Sequence, residues 1–199
     1  MKDVKLGGFI AKLVIIGFAT ISSLSIADNI GENFETGSFL LNGSSNIYFS
    51  EDSTIFYAGA GGSVFVKEGV SVGLALNSSN YYERNADVSW NSLSIGVSPD
   101  YTFGYRKDAQ TGFAFTVGSS LNYVLPIFEE IDSVNFNIEP HFTSSYFISP
   151  RASLYVKAYA PIGIQLGEES SSDLYYSGLK FGLQYSFARK DITWNNVGK

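Results

Sequence analysis

The sequence predicts an all-β fold, an eight-stranded antiparallel up-and-down barrel that spans a membrane. Eight stretches between Gly37 and Phe187 alternate apolar with small or polar side chains, and their apolar positions carry no charge. After residue 27, no apolar run is long enough for a membrane-spanning helix, so any crossing must be made by strands closed into a barrel. Because alternate residues of a strand point to opposite faces, each stretch has one apolar and one polar face.

The alternation places the strands at residues 37–49, 55–66, 70–79, 89–105, 112–123, 134–148, 152–166 and 174–187. Val97 and Leu121 lie on apolar faces, whereas Ser98 and Ser120 lie on the opposite faces. We expect the apolar faces to contact lipid and the small polar side chains to fill a narrow interior.

Aromatic side chains gather near the strand ends on the apolar faces, which is typical of the two interfaces of a membrane. The band near the longer loops is predicted to contain Phe49, Phe56, Tyr123, Phe136 and Tyr175. The band near the short turns is predicted to contain Phe103, Tyr105, Phe113, Phe115, Tyr146, Tyr185 and Phe187.

Three prolines fall inside predicted strands, at Pro99, Pro140 and Pro161. A closed barrel has no free edge for them, so we expect β-bulges at these positions. If the turn between the sixth and seventh strands centres on Pro150, then Pro140 lies beside Pro161.

The connections alternate between short and long. The short ones, 67–69, 106–111 and 149–151, are expected on the periplasmic side. The longer ones, 50–54, 80–88, 124–133 and 167–173, carry ten acidic residues against the single Arg84. We therefore expect a strongly acidic outer rim, where an extracellular ligand would bind. The net charge of -6 excludes a nucleic-acid-binding surface.

Residues 1–27 have the pattern of a secretory signal peptide, with Lys2, Lys5 and Lys12 before an apolar stretch and Ser25-Ile26-Ala27 at the cleavage site. The alternative is a permanent membrane helix, but about fifteen apolar residues fall short of the roughly twenty required. Cleavage would remove three lysines and Asp3, a net +2, and change the charge from -6 to -8. Residues 28–36 are then a lead-in, 37–187 the barrel and 188–199 a periplasmic extension.

Charged residues are few on the polar faces. A soluble lipocalin-like barrel would expose this face to water and should be rich in charge there. The polar faces instead carry only Asp100, Glu139, Lys157 and Lys180, together with His141, the only histidine. We predict that these five residues form a charge network in the lumen; the alternative is that the charges lie at different heights and each meets only water.

The sequence predicts no catalytic, cofactor or metal site. It contains no cysteine, which excludes thiolate chemistry and disulfides. The acidic groups Glu129, Glu130 and Asp132, or Glu168, Glu169 and Asp173, lack a recognised Ca²⁺-loop spacing. A solvated acidic face is the expected state of both groups.

Two segments resemble a known family. Residues 37–41 and the glycine-rich hairpin 57–74 are similar to the opening strands of small outer-membrane barrels of the OmpA/OmpX-like group. The final strand matches the family's assembly signal at Lys180, Gly182, Tyr185 and Phe187. The resemblance covers residues 35–187. The departure is the extension after Phe187; alternatively the last strand runs later, through Ile192 and Trp194.

The resemblance implies a monomer in the outer membrane of a Gram-negative cell, assembled by the barrel-assembly machinery and periplasmic chaperones. It implies a structural or surface-interaction role, without cofactor. Independently of the resemblance, eight strands enclose an interior only just wide enough for side chains to fill, and the polar faces carry Tyr57, Phe65, Tyr155, Tyr159 and Tyr176, so we expect a plugged lumen. A lipid A deacylase-like enzyme is the alternative within outer-membrane barrels. His141-Phe142-Thr143 departs from the His-x-Ser pair of such enzymes by having Thr in place of Ser and by facing inward.

Overall fold

A computed structural model describes residues 29–49, 53–83, 88–126, 134–166, 171–174 and 178–189. The predicted signal peptide, most of the acidic loop residues and the chain beyond Arg189 lie outside these described residues. In the part of the chain that is described, no helix is long and apolar enough to cross a membrane.

The described residues form one closed antiparallel barrel of eight strands, which confirms the predicted fold class. The last two strands are each divided into two segments. The bounds are β1 Phe39–Phe49, β2 Ser53–Lys67, β3 Val70–Glu83, β4 Val88–Phe103, β5 Gly112–Pro126, β6 Val134–Phe147, β7a Ala152–Tyr159, β7b Ile162–Leu166, β8a Ser171–Leu174 and β8b Gly178–Phe187. Each strand pairs with its neighbours in the chain, and β1 pairs with β8b, from Phe39 with Phe187 to Ser45 with Phe181, to close the barrel.

The register is unbroken at Pro99 and Pro140, so the bulges expected at these two positions are wrong. At Pro161 an irregularity is present: the pairing of the last two strands shifts by one residue, from Tyr159 with Gly178 to Ile162 with Leu174. The β4–β5 pairing is the same before and after Pro99. Strand β6 likewise keeps one register with β7a and β7b. The Pro140 carbonyl accepts a hydrogen bond from the Ala160 N–H at 3.1 Å, so Pro140 faces Ala160, the residue next to Pro161. A proline removes one donor but requires no extra residue. Another register shift occurs in β2, between Phe65 and Lys67.

The outer face of the barrel is apolar. Val97 is 45% exposed, Leu121 52% and Leu74 63%. Aromatic rings form a band near the short turns, with centroids 6.1 Å apart for Phe103 and Phe115 and 4.9 Å apart for Phe113 and Tyr146. Near the longer loops, Tyr123 and Phe136 lie 5.4 Å apart. The side chains of Phe49 and Tyr175 lie outside the described residues.

The buried apolar core lies at the end of the barrel that carries the short turns, which we call the turn end; the opposite end is the loop end. A 3₁₀ helix, Gly31–Phe34, precedes β1 there. Ile30 and Phe34 are buried against four lumen residues of the strands: Leu40, Phe65, Ala114 and Phe147. The lumen is therefore apolar at its turn end.

Tyr105 belongs to this core and not to the outer aromatic band, which corrects its predicted position. Its ring centroid lies 4.4 Å from that of Phe34. The chain changes direction at Gly104, whose φ of 73° is a left-handed conformation that favours glycine. The strict alternation therefore ends at Phe103, and Tyr105 packs across the turn end.

Candidate functional site in the barrel lumen

Three charged side chains meet in the middle of the lumen. Glu139 of β6 lies 3.1 Å from Lys157 Nζ of β7a and 3.0 Å from Lys180 Nζ of β8b. Glu139 is 7% exposed. Lys157 and Lys180 are ladder partners on adjacent strands, so their ammonium groups lie side by side. A carboxylate between them offsets a repulsion that would otherwise be strong in a confined space.

A second pair lies beside this group. His141 Nε2 is 3.0 Å from Asp100 Oδ1 on β4, and Nδ1 is 3.1 Å from the Glu139 carbonyl, so both ring nitrogens have polar partners. Strand β5 separates β4 from β6 and places Gly118 between the two side chains. A Cβ at Gly118 would overlap the Asp100 carboxylate, so glycine at this position makes the contact possible.

The five residues of the predicted network therefore lie in two adjacent groups. Glu139 contacts both lysines, and Asp100 contacts His141. In sequence the two carboxylates and two lysines could be paired in several ways. In the structure, Lys157 and Lys180 both contact the Glu139 carboxylate, and His141 contacts the Asp100 carboxylate.

Two cavities lie on either side of the three-charge group. The loop-end chamber has a volume of about 550 Å³ and is lined by residues that include Asn46, Tyr57 and Asn137. The turn-end chamber has a volume of about 110 Å³ and is lined by residues that include Ser98, Thr102 and Thr143. Glu139 and Lys180 line both chambers. These two side chains therefore stand at the boundary between them.

Large side chains of the lumen pack over glycines on the neighbouring strand. A Cβ at Gly182 would lie 2.5 Å from the Tyr155 ring, and one at Gly178 would lie 2.7 Å from the Tyr159 hydroxyl. Tyr155 also donates a hydrogen bond to the Gly43 carbonyl at 3.4 Å. Small residues on the polar faces thus make room for the tyrosines, because an eight-stranded barrel has space for little else.

The residues of the predicted assembly signal lie on both faces of β8b. Lys180 and Gly182 line the lumen, as described above. Tyr185 is only 3% exposed, and its ring packs edge-on against Phe187 with centroids 5.0 Å apart. Phe187 lies 6.3 Å from Phe39 of β1, at the seam that closes the barrel. Their recognition by an assembly machine stays a prediction.

The segment before β1 joins all three short turns, a role that sequence reasoning missed when it assigned only a lead-in. The Ile30 N–H donates to Ala109 at 2.8 Å, and the Gly69 N–H donates to the Phe34 carbonyl at 2.9 Å. The Asn33 amide donates to the Pro150 carbonyl. The apolar pair Ile30 and Phe34, four residues apart in a polar segment, was the available signal.

Charges at the turn end lie outside the membrane-spanning strands. A hydrogen bond from Lys107, together with its positive charge, lowers the pKa of the exposed Glu68. Burial against Phe34 raises the pKa of Tyr105 to about 12, and the neighbouring Glu68 charge adds to the effect. The Tyr105 hydroxyl donates to Glu68 at 3.4 Å.

The position of His141 bears on the enzyme alternative. Its side chain is 3% exposed and lines the turn-end chamber, whereas a lipid-modifying histidine must reach the lipid face. Among the described residues, no three His, Asp or Glu side chains are grouped to hold a metal ion. The acidic groups at residues 129–132 and 168–169 lie outside the described part of the chain.

The apolar outer face, its aromatic bands and the small polar interior define a transmembrane barrel of the outer-membrane class. Two solved structures resemble it. The N-terminal β-barrel domain of Pseudomonas aeruginosa OprF is 17% identical with a TM-score of 0.41, over 77% of this chain and 98% of that one. The outer membrane protein OprG from Pseudomonas aeruginosa is 11% identical with a TM-score of 0.47, over 79% of this chain and 99% of that one. No protein-family model and no curated protein matches the sequence.

Proposed function

We propose that this protein is exported through a cleaved signal peptide and inserts as a monomer into the outer membrane. There it has a structural or surface-interaction role, with a lumen closed to solutes and no catalytic activity. The observation that carries the proposal is the contact of Glu139 with both Lys157 and Lys180 at the boundary of the two chambers.

Two layers support a closed lumen. The three-charge group lies at the boundary between the two chambers, and charges removed from bulk water are stable only when they are paired. The second layer is the turn-end core, where Phe34 is 2% exposed and Ile30 is fully buried among lumen residues of the strands. A solute would have to pass both layers.

The apolar outer face, strand β8b and the acidic loops each suggest a partner. Outer-membrane lipid covers the apolar face. The barrel-assembly machinery and periplasmic chaperones act during insertion, through β8b residues such as Tyr185 and Phe187. An extracellular ligand would meet the acidic loops. The buried His141 argues against the deacylase-like alternative, and the exposed apolar face argues against a soluble lipocalin-like carrier.

Single cysteines test the closed lumen, because the chain contains none of its own. Asn137 lines the loop-end chamber, whereas Thr143 lines the turn-end chamber and is 6% exposed. A charged thiol reagent should modify Asn137→Cys in the folded barrel and should leave Thr143→Cys unmodified until the protein is unfolded. Equal modification rates at both sites would contradict the closure.

Planar-bilayer recordings provide the second test. We expect at most small and infrequent openings, because eight strands enclose an interior that side chains can fill. Steady conductance on the scale of a sixteen-stranded porin would exclude a closed lumen.

A further inference from the structure

We propose that the loop-end chamber is a binding site for a neutral, ring-shaped polyhydroxylated ligand, such as one hexose unit of a saccharide. This inference rests on the surface-interaction role proposed above and names the chemical class that the site would take. It concerns only the chamber walls formed by described residues.

The volume of the chamber suits a small ligand. About 550 Å³ lies within the roughly 300 to 1,000 Å³ of small-molecule pockets. Glu139 and Lys180 form its floor. A ligand that enters from the loop end would therefore stop at this floor and remain surrounded by the barrel wall.

Two opposite walls have different chemistry. Asn122 and Asn137 are ladder partners on β5 and β6 and present two adjacent amides. Tyr57 lies on β2, which is four strands from β6 and therefore directly across the barrel from it. Asn46 is the ladder partner of Tyr57 and adds a third amide beside the ring.

The charges of the chamber argue against an ionic ligand. Among the described residues that line it, the charged side chains are Glu139 and Lys180, and these lie 3.0 Å apart. Lys180 also lies over the Tyr159 ring, 4.1 Å from its centroid. A carboxylate or amine ligand would have to compete with this pairing, because the described part of the lining contains no other charged side chain.

The amides argue against an alkyl chain. Covering Asn137 with methylene groups would remove its amide from water without supplying a hydrogen-bond partner, which is costly. An asparagine amide both donates and accepts, so it can bind vicinal hydroxyl groups. A sugar ring combines such hydroxyl edges with an apolar C–H face that can pack on Tyr57.

The test uses the full-length mature barrel folded in a detergent without a sugar headgroup, with maltose as the probe. Saturation-transfer NMR and calorimetry should show saturable maltose binding. Asn137→Leu and Tyr57→Leu should each weaken it by about tenfold, as expected for the loss of one direct contact. Asn80→Leu and Tyr101→Leu, at exposed positions outside the chamber, should leave it unchanged. A heat-dependent gel shift verifies that every variant is folded.

Three results would overturn the inference: no saturable binding to the folded wild type, equal binding by the Asn137 and Asn80 variants, or equal affinity for gluconate, an open-chain carboxylate. The results for the ligand site can be distinguished from those for the closed lumen. Absence of binding with low conductance contradicts only the ligand site, whereas maltose binding with steady conductance supports the site and contradicts the closed lumen.

Discussion

Lys180 Nζ lies 3.0 Å from Glu139 Oε2, although the two residues are on strands that are not neighbours, with β7a between them. Lys157 of the intervening strand contacts the other Glu139 oxygen at 3.1 Å. One carboxylate thus links three consecutive strands on the lumen side of the barrel wall. The consequences for stability depend on which of the three charges is removed.

Glu139→Gln should be the most destabilising change in this group, at about 3 to 5 kcal/mol, because it leaves two adjacent buried lysines without a counter-ion. Lys180→Met should cost less, since Lys157 still partners Glu139. The double variant Glu139→Gln/Lys180→Met should be more stable than Glu139→Gln alone. Urea titration in lipid vesicles measures all three, and a double variant less stable than Glu139→Gln would contradict the repulsion.

Arginine on the outer face should be costly. Val97→Arg or Leu121→Arg should lower the free energy of unfolding in bilayers by about 2 to 4 kcal/mol, because the charge is placed in lipid. Ser98→Ala and Ser120→Ala, at the adjacent lumen positions, are the matched controls and should cost much less. Equal sensitivity of the two faces would show that the assignment of faces is wrong.

The segment before β1 should contribute strongly to stability. Phe34→Ala removes a ring packed between Phe65, Tyr105 and Phe147 and should cost about 3 to 5 kcal/mol. Thermal or urea unfolding in vesicles measures the loss. Glu35→Ala, at an exposed position one residue later, should be nearly neutral. Similar stability of both variants would show that the docked segment contributes little.

The final strand should control assembly. Phe187→Ala or Tyr185→Ala should leave more unfolded precursor in the periplasm, measured by the heat-dependent gel shift. Ala188 is 1% exposed and the Arg189 N–H donates to Ser38 Oγ at 3.2 Å, so a neutral tail deletion should begin at residue 190. If that deletion abolishes folding while Phe187→Ala has no effect, the assembly signal has been misplaced.

Tyr105 should make stability fall at high pH. Its pKa is raised to about 12 in the folded state, so the folded protein holds the phenol proton more tightly than the unfolded chain. This contribution is complete below the unfolded pKa of about 10 and is lost as the pH rises from there toward 12. Tyr105→Phe cannot ionise. Its stability relative to wild type should therefore improve between these pH values, and a constant difference would contradict the raised pKa.

The strands and their faces could be predicted from the sequence alone. A strand has a period of two residues, so Val97 and Ser98 are assigned to opposite faces by local pattern. The absence of charge on one face and the small residues on the other then indicate which side meets lipid. The same reasoning puts Asp100, Glu139, Lys157 and Lys180 inside, since an unpaired charge is too costly in hydrocarbon.

Tertiary structure decided which of these side chains meet. The register places Pro161 opposite Glu139 and Lys157 opposite Thr143, yet Glu139 contacts Lys157. Barrel strands tilt relative to the barrel axis, so a lumen side chain can contact residues displaced along the strand from its ladder partner. Strand closure and tilt are properties of the whole sheet. The docking of Ile30 and Phe34 is non-local in the same way, because their binding surface exists only once β1 has paired with β8b and all three short turns lie at one end.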